Sequence, residues 1–129
     1  MRIRFLLGEI LFWSHVPVIL FWFGLFFVPS VVWPAKMFFH FWFIALAFAS
    51  QLLWGLLLMP IRNKFGWGVC FLTTLTQLAR GYPLRDPRNH DHWFLSELFD
   101  RAGVTVPASI IQFVLVTSIL LVATEYLLI

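Results

Sequence analysis

The fold is decided by residues 80–105, RGYPLRDPRNHDHWFLSELFDRAGVT, which carry much of the charge of an otherwise apolar chain. This polar stretch holds four of the nine Lys and Arg residues, four of the six Asp and Glu residues and two of the four His residues. Long apolar runs precede it and one follows it. We therefore expect it to be the largest element outside the hydrocarbon layer in a small membrane protein.

The composition argues against an ordinary soluble domain. Hydrophobic residues make up 61% of the 129 residues and charged residues only 12%, whereas soluble domains carry about 25% charged residues. The aromatic fraction of 19% suits a surface that meets lipid chains and headgroups. The formal net charge of +3 comes without a basic run, so nucleic acid is not an expected partner.

Four apolar runs predict four transmembrane helices and thus an all-α polytopic membrane protein. A helix of about 20 residues crosses a hydrocarbon core of about 30 Å. The predicted helices cover residues 5–28, 37–59, 65–84 and 106–129, and the polar loop covers residues 80–105. Pro17 is expected to kink the first helix, because proline lacks the backbone donor. The third run is the shortest, so three spans with a re-entrant or interfacial third segment are the alternative.

Inside the polar stretch, residues 92–101 predict a short amphipathic helix that lies on the membrane surface. Asp91 is a suitable N-cap, and Gly103 is a suitable residue to end the helix. Glu97 and Arg101 are four residues apart, which is the spacing of a helical ion pair.

The positive charges before the first helix predict the orientation of the chain. Arg2 and Arg4 favour a cytoplasmic N-terminus, which we expect in a bacterial inner membrane. Four spans would place the polar stretch on the opposite, outer side. Glu9 and Glu125 would then share the N-terminal side and form an interfacial charge cluster there.

Small and polar residues predict how the helices pack, because lipid supplies no hydrophobic drive between them. Two stripes with helical spacing stand out: Gln51 and Gly55 in the second run, and Gly66, Cys70, Thr73 and Gln77 in the third. We expect the stripes to face each other, with both glutamines inside the protein. For each polar residue the alternative is a hydrogen bond to the backbone of its own helix, which is common for Thr and Ser. Cys70, the single cysteine, is expected to be an inert buried thiol.

The histidines are the candidate ligands for a cofactor or a metal. His15 lies near the middle of the first run and is a candidate cofactor contact, the alternative being a neutral histidine bonded to a neighbouring helix. His40, His90 and His92 are candidate metal ligands on the side of the polar stretch. His15 and His40 would differ in depth by on the order of 15 Å, which argues against one haem shared by both. We find no sequence motif of a catalytic site.

Several short pieces together resemble a family of small four-helix bacterial membrane proteins of unknown function. These pieces are His15, His40, Gly66-Trp67, residues 70–73 (CFLT) and residues 93–95 (WFL). The family carries a Cys-Pro-Leu-Thr stretch, so that Phe71 here stands in the place of its proline, and Gln77 stands near the place of an expected Glu. The resemblance implies four spans and no particular activity.

Three functions remain compatible with these observations. We favour a non-catalytic accessory or assembly subunit of a larger membrane complex, because short-looped apolar helices offer surface to lipid and to other subunits. A membrane enzyme or cofactor protein that uses the histidines is the first alternative. An oligomeric small transporter or lipid-binding protein is the second, and fold alone does not decide among the three.

Overall fold

The chain is helical in a computed structural model. The structure describes residues 1–63, 69–91 and 94–128. For residues 90 and 91 it describes only the backbone. The helices are α1 (Arg2–Trp13), α2 (His15–Gly24), α3 (Lys36–Arg62), α4 (Phe71–Ala79), α5 (Arg88–Asp91), α6 (Phe94–Arg101) and α7 (Ala108–Leu128). A 3₁₀ turn at Leu25–Phe27 extends α2. The described residues form no strand, so the predicted all-α class is confirmed.

Three segments are long and apolar enough to cross a membrane. They are Arg2–Phe27, Lys36–Arg62 and Ala108–Leu128, with 26, 27 and 21 residues. Each reaches the length of about 20 residues that a bilayer core requires. These segments match the predicted first, second and fourth helices to within a few residues. The second continues through Pro60 to Arg62 and ends at Asn63, whose φ of 58° is left-handed.

The predicted third span is wrong for the part of residues 65–84 that the structure describes. Helix α4 has nine residues, which give a length of about 13 Å, less than half of a bilayer core. Four of its residues are buried polar side chains, namely Thr73, Thr74, Thr76 and Gln77. A helix with such a polar face satisfies it against protein rather than lipid, and α4 packs mainly on α1.

Helix α4 runs antiparallel to α1 and begins deep in the bundle. Near its start, the Thr73 hydroxyl lies 3.3 Å from Nε2 of His15, in the middle of the first span. At its end, the side chain of Arg80 lies against Gly8, close to the beginning of that span. Helix α4 therefore runs from the level of the middle of the first span to the level of its N-terminal end.

The first span is interrupted at Ser14, three residues before Pro17. Proline cannot donate to the carbonyl group four residues earlier, and its ring clashes with that group. This interruption matches the kink expected at Pro17. Nδ1 of His15 lies 3.0 Å from the carbonyl oxygens of both Leu11 and Phe12, so the histidine bonds to its own helix at the break.

The three spans meet at Trp22 in α2, whose side chain is only 3% exposed. The indole N–H of Trp22 donates to the hydroxyl of Ser118 in α7 at 2.9 Å. The carbonyl oxygen of Trp22 accepts a hydrogen bond from Nε2 of His40 in α3 at 2.7 Å. Ile44 from α3 and Val122 from α7 complete the buried cluster around the indole. One residue of the first span is thus bonded to both other spans.

Two polar residues at the start of α3 bond to the end of the first span. His40 donates to the carbonyl of Trp22, and Nζ of Lys36 donates to the carbonyl of Leu25 at 3.2 Å. The last carbonyl groups of a helix have no partner within the helix, and positive charge is favoured near them. This capping accounts for the complete burial of His40, which is 1% exposed.

Three spans place the polar stretch on the same side as the N-terminus, so its predicted position on the opposite side is wrong. Arg101 donates directly to the Glu9 carboxylate at 2.7 Å. The predicted cluster of Glu9 with Glu125 is wrong as well. Tyr126 stacks on Phe41 near the start of α3, so that the neighbouring Glu125 lies at the other end of the bundle.

Cysteine labelling in a Cys70→Ser background will test this arrangement. We expect Arg4→Cys and Arg85→Cys to react with a membrane-impermeant thiol reagent from one side, and Ser30→Cys from the other. The reason is that two spans lie between the N-terminus and Arg85, whereas only one lies between the N-terminus and Ser30. Intact cells and inside-out vesicles provide the two measurements. Labelling of positions 30 and 85 from the same side would contradict this arrangement and indicate four spans.

Substitutions of His40 will test its capping role. His40→Gln keeps a donor near the Trp22 carbonyl, whereas His40→Leu leaves that buried carbonyl unpaired. We expect the leucine variant to lose about 1–2 kcal/mol of unfolding free energy and the glutamine variant clearly less. Thermal unfolding in detergent is the measurement, with Thr124→Ala on the exposed side of α7 as the neutral control. Equal losses in both His40 variants would contradict the role.

Candidate intramembrane binding site

A cavity of about 630 Å³ opens between α2, α3 and the start of α4. Its volume lies within the range of about 300–1,000 Å³ that small-molecule sites occupy. Along α3 its wall comes from residues 43–57, a helix length of about 21 Å. Phe94 and Leu95 of α6 and Leu115 of α7 complete the wall. The cavity therefore occupies the central part of the spans.

The outer edge of the cavity faces the surroundings of the bundle. Four apolar residues that line it are also exposed, namely Leu46, Leu53, Leu57 and Phe71. Three of them lie on α3, a segment able to span a membrane, so lipid chains are their neighbours in a bilayer. The cavity is thus accessible from the hydrocarbon layer.

A few uncharged polar groups interrupt this apolar lining, chiefly His15, Gln51 and Thr73. His15 is near the middle of the segment Arg2–Phe27, and Gln51 is near the middle of Lys36–Arg62. Among the described lining residues none is Asp, Glu, Lys or Arg. Such an apolar pocket with a small number of fixed polar groups is the usual form of a ligand site.

The hydrogen bonds of His15 fix its tautomer. Because carbonyl oxygens only accept, Nδ1 carries the proton, and Nε2 is the acceptor in the neutral ring. The Thr73 hydroxyl donates to Nε2 over 3.3 Å, a long hydrogen bond. Phe94 stacks on the imidazole with ring centroids 4.5 Å apart and planes inclined by 9°. His15 is held rigidly at the wall, with one weakly bonded acceptor atom.

A second set of hydrogen bonds ties the start of α4 to α3 and to the polar stretch. The indole N–H of Trp54 donates to the Thr74 hydroxyl at 2.9 Å, and that hydroxyl donates to the carbonyl of Asn89 at 3.4 Å. The amide of Asn89 donates to the carbonyls of Tyr82 and Pro83. Sequence reasoning missed this network. The signal that could have found it was the density of threonines in an apolar run too short to span.

The residues of the two predicted packing stripes have different positions. Gln51, Cys70 and Thr73 line the same cavity, whereas Gln77 is buried near the other end of α4, beside Arg80. Gly55 is buried in α3, and Gly66 lies outside the described residues. Burial raises the pKa of the Cys70 thiol, which agrees with an unreactive side chain.

The structure does not bring His40 together with the segment that contains His90. Trp54 is linked through Thr74 to Asn89, and the distance along α3 from His40 to Trp54 is about 21 Å. Within the described ranges no group of three or more His, Cys, Asp or Glu side chains could hold a metal ion. The side chain of His90 and the whole of His92 lie outside those ranges, so the metal site stays a prediction.

Two carboxylates and two guanidinium groups close the bundle at the N-terminal side. Arg80 donates to both oxygens of Glu97, at 2.8 and 2.9 Å, and Arg101 donates to both oxygens of Glu9, at 2.7 and 2.8 Å. Arg101 also pairs with Glu97, which confirms the predicted helical ion pair. Hydrogen bonding to Glu97 raises the pKa of Arg80, and hydrogen bonding to Glu9 raises that of Arg101. We call these four residues the charged cluster.

The charged cluster joins α1, the end of α4 and α6 into one unit. The guanidinium of Arg101 also lies 4.0 Å over the ring of Phe12. Phe12 in turn packs against Phe94 with ring centroids 4.8 Å apart. The predicted amphipathic helix is thus present in the described residues Phe94–Arg101, and its buried residue Phe94 packs against Phe12 and His15 of the first span. Its position on the membrane surface stays a prediction.

Comparison of the chain with protein-family models, with curated proteins and with solved structures gave no match. The resemblance to the family with the Cys-Pro-Leu-Thr stretch therefore stays a prediction. Its Gly66-Trp67 piece and Trp93 also lie outside the described residues. Function must be inferred from the geometry of this chain.

Two glycine substitutions will test the contact between α1 and Arg80. A Cβ atom at Gly8 would lie 2.9 Å from Cγ of Arg80, whereas a Cβ at Gly24 would meet no atom within 4 Å. We expect Gly8→Ala to lower the unfolding free energy by about 1–3 kcal/mol, because Arg80 must move from its partners. We expect Gly24→Ala to be neutral or to stabilise by up to about 1 kcal/mol. Thermal unfolding in detergent is the measurement, and equal effects would contradict the close contact.

Proposed function

We propose that this protein is a non-catalytic integral membrane protein that binds a lipid-like molecule in the cavity between its spans. The observation that carries the proposal is the position of the cavity, halfway along α3 and with an exposed apolar edge. The molecules that surround such an edge in a membrane are lipids. A lipid chain that moves laterally out of the bilayer enters the cavity without crossing a polar surface.

The apolar lining of the cavity supports a hydrocarbon occupant. The cavity is open at an edge of exposed apolar residues, so a molecule from the bilayer can fill it. Water would find few polar partners on this wall, so hydrocarbon is the favoured occupant.

The distribution of positive charge supports a cytoplasmic N-terminus and a cytoplasmic polar stretch. Seven of the eight described Lys and Arg residues fall on the N-terminal side of three spans: Arg2, Arg4, Arg62, Arg80, Arg85, Arg88 and Arg101. Lys36 alone falls on the other side. Short loops rich in Lys and Arg stay in the cytoplasm. The family resemblance makes the bacterial inner membrane the expected location.

An accessory subunit of a larger membrane complex is the second candidate. It is favoured by the large exposed apolar surface of the spans. In each span, no more than 22% of an apolar stretch of 18 residues is buried inside the chain. Lipid alone would cover that surface equally well, so the exposed apolar surface does not distinguish an accessory subunit from a lipid-binding protein. The cavity is the more specific feature, because partner binding does not require it.

Native mass spectrometry after mild detergent extraction will test both candidates. We expect a lipid at one copy per chain, and we expect Ser50→Phe, which adds bulk at the cavity wall, to weaken its retention about tenfold or more. Ser109→Phe on the exposed side of α7 is the matched control and should retain the lipid. Equal retention in both variants, or no bound lipid, would contradict the proposal. Stoichiometric protein subunits in its place would support the accessory role.

A further inference from the structure

We infer that the ligand is an uncharged long-chain lipid whose carbonyl or hydroxyl oxygen is bound by Gln51 and Thr73 near the middle of the membrane. This inference rests on the proposed function, because it identifies the chemistry of the molecule in the same cavity. It assigns a binding role to Gln51, which makes no hydrogen bond with the described residues.

Gln51 brings an amide group to a place where the described residues offer it no partner. Its side chain lines the cavity and makes no hydrogen bond with any residue that the structure describes. The nearer end of α3, at Arg62, is about 17 Å away along the helix, so the amide does not reach the membrane surface. An unpaired polar group in hydrocarbon costs several kcal/mol. A ligand oxygen in the cavity would remove that cost.

Thr73 and His15 provide the second contact. Their mutual hydrogen bond of 3.3 Å is longer than the usual O–H hydrogen bond, about 2.8 Å, so little is lost when it is exchanged for a ligand. The Thr73 hydroxyl can then donate to a carbonyl, or Nε2 of His15 can accept from a hydroxyl. Both residues line the same cavity as Gln51. Donors and acceptors are thus present for either kind of oxygen.

Because no charged residue is found in the described lining of the cavity, we expect the ligand to be uncharged. No Asp, Glu, Lys or Arg lines the cavity among the described residues, so a carboxylate or a phosphate would have no counter-ion there. A charged group at the centre of a bilayer costs at least about 2.5–3.5 kcal/mol. The arginines of the charged cluster lie at the end of the bundle and are already paired with Glu9 and Glu97. A ketone, an ester or an alcohol on a long apolar chain fits these conditions.

Competition between matched long-chain compounds will test the inference on the full-length protein in detergent. The compounds are an alkane, a ketone, an alcohol and a carboxylate of equal chain length, and the readout is occupancy in native mass spectrometry. We expect the ketone or the alcohol to bind at least about tenfold more tightly than the alkane, which corresponds to about 1.4 kcal/mol. The carboxylate at neutral pH should bind no better than the alkane.

Gln51→Leu should abolish the preference for the oxygen while the alkane still binds. Gln112→Leu in α7, outside the cavity, is the matched control and should keep the preference. Thr73→Val offers a second, nearly isosteric variant with the same expected result. Thermal unfolding establishes that each variant is folded.

The possible outcomes separate the inference from the proposed function. Equal binding of alkane, ketone and alcohol to the unmodified protein would overturn the inference and leave lipid binding intact. Preference for the carboxylate would overturn the uncharged class, and a preference unchanged in both cavity variants would overturn the assignment of Gln51 and Thr73. Failure of every compound to bind would remove the proposed function together with the inference.

Discussion

The need to satisfy backbone carbonyl groups without water governs this structure. The first span ends in a 3₁₀ turn at Leu25–Phe27, where the α-helical hydrogen-bond pattern stops and the carbonyls of Trp22 and Leu25 accept side-chain donors. His40 and Lys36 supply donors from the next span, while the indole of Trp22 reaches the third. In hydrocarbon such groups must be paired within the protein. The two capping bonds and the indole bond together therefore join all three spans.

The parts of this fold that depend on length and hydropathy could be predicted from the sequence. The segments Arg2–Phe27, Lys36–Arg62 and Ala108–Leu128 were all expected to within a few residues, because a bilayer demands about 20 apolar residues per crossing. Pro17 marked the interruption of the first span for an equally local reason. The ion pair of Glu97 with Arg101 followed from helical spacing alone. In each case the determining interaction lies within one helix.

The parts that depend on contacts between distant residues could not be predicted. The threonines of α4 looked compatible with a short span, since nothing in the sequence shows that Thr74 receives the indole N–H of Trp54. Without that crossing the polar stretch lies on the same side as the N-terminus, so that Glu9 meets Arg101 and His40 lies far from the segment that contains His90. Glu9 and Arg101 are 92 residues apart, so their pairing has no local signature. The cavity arises in the same way, from the shortness of α4 beside two full spans.

Helix α4 also gives the cavity an electrostatic character that its side chains do not show. Aligned peptide dipoles place a positive potential, equivalent to roughly half an elementary charge, at the N-terminus of a helix. In α4 that terminus is at residues 70–73, in the cavity wall, and the opposite terminus lies near Arg80. Hydrocarbon screens this field far less than water does. This field is worth at most about 2 kcal/mol to an anion, which is less than the cost of about 2.5–3.5 kcal/mol or more for a charge at the centre of a bilayer. It therefore gives a dipolar guest a preferred direction without admitting a carboxylate.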